Sequence, residues 1–168
     1  MKVFECSFSE EEIEILKPVI KNGELGFGPN VSKLEGDFAR FSKKRHNIAT
    51  NSASASAFAI FHYLKKTYGE CDIYTPSLGF ASPAWAAKHH GHNIIWVDVD
   101  DNLLFDVNDY RKKRQKRCER YTNEGVIPVV MPILYGGVST IEGFDSIRSD
   151  GYREIIVVDS AHCVTPTI

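Results

Sequence analysis

The sequence holds 168 residues, 43% hydrophobic and 25% charged, the ordinary make-up of a globular domain with enough chain to bury its own core. Twenty Lys and Arg against 22 Asp and Glu leave a formal charge of −2, which argues against a dedicated nucleic-acid or membrane-surface protein. No apolar run approaches the ~20 residues of a spanning helix, and the amino terminus lacks a signal-peptide core. Composition thus predicts a soluble, cytoplasmic chain forming one domain over 1–168.

In chain order, Ser9 followed by Glu12 reads as a capping box opening a helix to about Lys21, with Ile13, Leu16 and Ile20 on one face. Pro18 falls inside it and is expected to kink or shorten it. The glycine-rich stretch 23–28, closed by Pro29, reads as a loop, so residues 1–30 form an N-terminal helix and loop. A second helix, 31–43, carries Leu34, Phe38 and Phe41 on one side. Five strands are expected at 47–50, 72–75, 93–99, 126–133 and 154–159. Their apolar cores run on without alternation, as in strands covered on both faces. Between them, 54–68, 82–90, 107–120 and a short segment near 141–149 have helical length or pattern. The alternation predicts an α/β fold: a mainly parallel sheet with helices on both faces.

Ligands of such sheets bind beyond the carboxyl ends of the strands. After the first strand stands Asn51-Ser52-Ala53-Ser54-Ala55-Ser56, leading straight into a helix. Small side chains there let helix-start N–H groups approach an anion, a phosphate cradle; the same residues also serve simply as a serine-capped helix. After the second comes Thr75-Pro76-Ser77-Leu78-Gly79-Phe80, whose phenyl ring either projects over a bound ring or packs in the core. After the fifth comes Asp159-Ser160-Ala161-His162, an acid at the end of a buried strand. Such a carboxylate needs a cation or donors: a protonated ring nitrogen of a cofactor, or a structural salt bridge.

Together these pieces resemble a known family. Gly28-Pro29-x-Val31-x-x-Leu34-Glu35-x-x-Phe38-Ala39 is similar to the signature of the DegT/DnrJ/StrS sugar aminotransferases, fold-type I enzymes that use pyridoxal 5'-phosphate. Asn51-Ser52-Ala53-Ser54, Pro76-Ser77-Leu78-Gly79-Phe80, Val97-Asp98-Val99-Asp100, Tyr135-Gly136 and Asp159-Ser160-Ala161-His162 follow in the family's order. The resemblance implies that the chain is the N-terminal portion of such an enzyme's large domain. It implies that Ala53 and Ser54 hold the cofactor phosphate, Phe80 stacks on the pyridine ring, Asp159 pairs with its nitrogen, and His162 lies near its ring oxygen. It further implies a keto-sugar nucleotide as substrate, an amino donor such as glutamate, and a homodimer or a complementing C-terminal chain as partner.

Departures matter as well. Ala53 stands for the family's Gly, Gly79 for its Thr, and Ile133 near its His. The Schiff-base lysine follows the Asp-Ala-Ala-His motif in relatives, whereas here only six residues follow His162 and none is lysine. No catalytic residue is therefore assigned, and the chain is expected to be truncated and not to transaminate alone. The alternatives are a non-catalytic remnant that binds cofactor or a partner, and a pyridoxal-phosphate-dependent sugar dehydratase. Cys6, Cys71, Cys118 and Cys163 lack ligand spacing and read as reduced thiols, and no metal site is expected. Lys88-His89-His90-Gly91-His92 reads as a helix C-terminus and its cap. The basic block 111–120 reads as a solvated helix face.

Overall fold

The structure, a computed structural model, describes residues 8–120, 125–149 and 154–164. Cys6 lies outside them. The chain divides into two compact units, Met1–Ala49 and Thr50–Ile168.

In the first unit, helix α1 spans Glu10–Lys21 and helix α2 spans Pro29–Ser42. The Ser9 N–H donates to the Glu12 carboxylate at 2.6 Å, closing the expected capping box. Pro18 sits inside α1 without shortening it, because it falls in the last turn and its carbonyl still accepts from the Asn22 N–H at 2.9 Å. Pro29 opens α2 at its first turn, where a missing N–H costs nothing. Beyond α2, the Glu35 carboxylate accepts from the Ala49 N–H at 2.8 Å and ties the returning chain to the helix. The strand expected at 47–50 is not formed. A strand exists only beside a partner, and among the described residues none pairs with this stretch.

The second unit runs α3 (Ala53–Tyr68), β1 (Cys71–Pro76), α4 (Ala81–His89), β2 (Asn93–Val97), α5 (Val107–Arg120), β3 (Ile127–Val130), a 3-10 turn (Tyr135–Gly137), α6 (Asp145–Ser149) and β4 (Ile155–Ile156). The strands form one sheet in the order β2-β1-β3-β4, every pair parallel. Side chains alternate across it. Ile73, Val129 and Met131 pack with Phe61 and Leu64 of α3 and Ala86 and Ala87 of α4. Tyr74, Val97 and Val130 pack with Tyr110 of α5, Ile147 of α6 and Phe144 just before it on the opposite face. Helices cover both faces, as the continuous apolar strands require.

Three strands are shorter than expected, for local reasons. Pro132 has no N–H, so the regular β3–β4 ladder stops and resumes only as a bridge between Ile133 and Asp159. The chain nonetheless stays extended alongside it: the Val157 N–H donates to the Val130 carbonyl at 3.0 Å and the Asp159 N–H to the Pro132 carbonyl at 2.9 Å. After β2, Val99 turns away to bridge Phe105, and Asp100 accepts from the Asn102 and Leu104 N–H groups at 2.9 Å each. The Val-Asp-Val-Asp motif thus builds a turn. At the far end of the sheet, buried His92 accepts from the Cys71 N–H through Nδ1 at 3.1 Å, so Nε2 carries the proton and donates to the Phe61 carbonyl at 3.0 Å.

The chain leaves β1 for β2 through α4 on one face and returns to β3 through α5 on the other. β1 therefore has a neighbour on each side, and the crevice of such a sheet lies beyond the carboxyl ends of β1 and β3.

Candidate functional site

Two cavities open near that crevice on the side of α3 and α4. The smaller, of about 270 Å³, is walled by Ala53, Ser56 and Ile60 of α3, by Pro83 and Met131, and by the stretch from Val157 to Ala161. It brings the helix start chosen from sequence against the acid chosen from sequence. Ser52 caps α3: its hydroxyl accepts from the Ala55 N–H at 3.2 Å and its carbonyl from the Ser56 N–H at 3.2 Å. The N–H groups of Ala53 and Ser54 have no acceptor within the helix and, with the helix dipole, favour an anion at its mouth. Ala53, where relatives carry Gly, is unstrained: among the described residues only Lys43 and Leu103 combine a side chain with positive φ.

Asp159 is half-buried at the end of the β4 extension. One carboxylate oxygen accepts from the Ala161 N–H at 3.1 Å. Among the described residues no cationic side chain pairs with it, so the structural salt bridge allowed by the sequence is not what holds this acid. The acid of this sheet that does take a salt bridge is Asp72, gripped by Arg117 at 2.7 and 2.8 Å.

The other residues are distributed differently. The Ser54 hydroxyl donates to the Ser82 hydroxyl at 2.8 Å, linking the starts of α3 and α4. Phe80 precedes α4, is 75% exposed, and lines the second cavity of about 520 Å³ rather than the first. The two cavities share Pro83 and Met131. His162 is exposed, lines neither, and packs against Tyr135 with ring centroids 5.9 Å apart. Sequence reasoning did not single out Ser82, Pro83 or Met131: the first sat in an ordinary helix start, the last in an apolar strand. Gly79 has a φ of +153°, and a Cβ there would run into the Ile133 side chain. Two departures from the family pattern are thus neighbours in space.

The donor set suits pyridoxal phosphate: helix-start N–H groups and hydroxyls for its phosphate, and a carboxylate without a cation for its ring nitrogen. Among the described residues no cluster of His, Cys, Asp or Glu could hold a metal ion. At the histidine-rich helix end, burial, aided by the neighbouring imidazoles of His89, His62 and His92, pushes the His90 pKa below its ordinary value. Among the described residues no helix is long and apolar enough to cross a membrane.

Comparison with known proteins agrees with this geometry. The profile of the DegT/DnrJ/EryC1/StrS aminotransferase family matches residues 7–168. The chain is 30% identical over 160 residues to the spore coat polysaccharide biosynthesis protein SpsC of Bacillus subtilis, covering 94% of this chain and 38% of that protein. It is 26% identical over 161 residues to the UDP-4-amino-4-deoxy-L-arabinose–oxoglutarate aminotransferase of Shewanella sediminis, again covering 94% and 38%. Among solved structures, a DegT DnrJ EryC1 StrS aminotransferase from Brucella abortus superposes with a TM-score of 0.77 at 18% identity, covering 92% of this chain and 41% of that one. The chain thus spans about two-fifths of the length of these relatives. A family match over nearly every residue, on a parallel sheet whose crevice carries the expected helix start and acid, makes this chain a member of the DegT/DnrJ/EryC1/StrS aminotransferase family.

Proposed function

We propose that this chain is the cofactor-holding part of a pyridoxal-phosphate-dependent aminotransferase that acts on a keto-sugar nucleotide with an amino donor such as glutamate. The observation that carries the proposal is one cavity walled both by the start of α3 and by a half-buried carboxylate that has no cationic partner among the described residues. The family is pyridoxal-phosphate-dependent, and a relative named for a UDP-amino sugar and oxoglutarate supports the substrate classes.

When bound, the cofactor supplies an electron-withdrawing ring that stabilises negative charge on the substrate carbon. The chain's own residues bind and orient it. The Ala53 and Ser54 N–H groups would hold the phosphate, and the Ser54 hydroxyl would join them by giving up its bond to Ser82. Asp159 keeps a proton on the ring nitrogen, and one of its oxygens already accepts from Ala161, which fixes the carboxylate. Phe80, which lines the larger cavity, would have to turn to cover the ring, and His162, which lines neither cavity, would have to leave Tyr135 to reach its oxygen. The amine that anchors the cofactor's aldehyde follows the Asp159 motif in relatives, whereas the last lysine of this sequence is Lys116.

Titration of pyridoxal phosphate into the 168-residue chain, followed by absorbance and calorimetry, tests the reading. Saturable binding is expected, weakened about 10- to 100-fold by Asp159→Asn, the worth of one charge-assisted hydrogen bond. Unchanged affinity in that variant overturns the pairing. Borohydride is expected to fix no cofactor to one specific lysine; a single labelled site contradicts the missing amine.

A further inference from the structure

The larger cavity, of about 520 Å³, has a chemistry of its own. Its volume lies within the range of small-molecule sites. Its floor is one face of the sheet. Thr75 of β1 stands in register with Trp96 of β2, so both side chains leave the sheet on the same side, and Ile133 continues that face beyond β3. Helix α4 forms the opposite wall with Trp85 and Lys88, three residues apart and so on one helix face.

Three observations there point to a ligand. Thr75 is 1% exposed and its hydroxyl has no hydrogen-bond partner, an arrangement that costs free energy unless something in the cavity completes it. Trp85 and Trp96 remain 59% and 50% exposed, although Trp85 is already steadied by Phe58 at 5.2 Å and His89 at 5.4 Å between ring centroids. Lys88 is exposed and pairs with no acid among the described residues.

We infer that this cavity is a second binding site, for a flat aromatic or heteroaromatic ring that carries one anionic group. The ring lies against the indoles, the anion meets the Lys88 ammonium, and the Thr75 hydroxyl bonds a polar atom at the inner end. The site adjoins the cavity of Ala53 and Asp159 at Pro83 and Met131 but has its own anchors in Thr75, Trp85, Lys88 and Trp96, and the inference stands whether or not that cavity takes the cofactor.

The chain's two tryptophans both line this cavity, so tryptophan emission reports on it directly. Titration with 2-naphthoate, by calorimetry and emission, is expected to show saturable one-to-one binding. Lys88→Met weakens it about tenfold or more and leaves binding of neutral 2-naphthalenemethanol unchanged. Trp96→Ala weakens both probes. Asp159→Asn leaves both unaffected. Absence of saturable binding overturns the inference, as does binding indifferent to Lys88→Met and Trp96→Ala. Loss with Asp159→Asn makes the cavity part of the cofactor site and overturns it as a second one. Loss of pyridoxal phosphate binding alone, with 2-naphthoate retained, overturns the cofactor reading and not this one.

Discussion

Asp72 and Asp159 are both acids on strands of one sheet, and their surroundings separate their roles. Asp72 is 4% exposed at the start of β1 and has both oxygens engaged: by Arg117 at 2.7 and 2.8 Å and by Asn93 at 3.0 Å. A bidentate guanidinium is the strongest compensation for a buried carboxylate, and removing one partner leaves an uncompensated charge. Arg117→Met is expected to destabilise the fold by about 2–3 kcal/mol, somewhat less than a fully buried pair because the arginine is partly exposed. Asp72→Asn with Arg117→Met is expected to cost less than the two single changes summed, which denaturant unfolding of all four proteins measures; additive costs contradict the coupling. The sequence alone showed Arg117 only as one member of a basic block. In space it reaches back 45 residues, and Arg114 lies 4.0 Å from Glu154, so that face of α5 is partly a structural clamp rather than simply solvated.

At the scale of elements, the link from β1 to α4 depends on Gly79. Its φ of +153° disfavours any side chain, and the Ile133 side chain fills the space a Cβ would take. Gly79→Ala is expected to lower stability by about 1–3 kcal/mol through backbone strain and overpacking together. Adding Ile133→Ala removes the steric part and leaves the backbone part, so partial recovery of the thermal midpoint is expected; complete recovery rules out the backbone contribution. The helices were legible because they carry their own signals, such as the Ser9–Glu12 box and the Ser52 cap of α3, although Pro29, read as closing a loop, in fact opens α2. The strands were legible in place but not in length. Pro132 interrupts a ladder that only its neighbour reveals, and residues 47–50 have strand character with no strand beside them among the described residues.

At the scale of the whole molecule, β2 and β4 each pair on one side only among the described residues, so both edges of the sheet offer unpaired backbone groups. In the first unit neither α1 nor α2 buries a residue, and Ile20, Leu34, Phe38 and Phe41 are exposed. Open edges and apolar faces favour association. The isolated chain is therefore expected to self-associate, its sedimentation mass rising with concentration; a monomer across the whole range contradicts this. By itself the sequence determined the α/β class, the helix starts and the two residues that meet in the smaller cavity, Ala53 and Asp159. Those properties depend on local capping and on apolar runs that read along the chain. The tertiary structure decided which acid takes a guanidinium and which has no cation among the described residues, that Phe80 and Asp159 line different cavities, and that Gly79 and Ile133 compete for one space. These are matters of which distant residues become neighbours, and only the order and register of the strands set them.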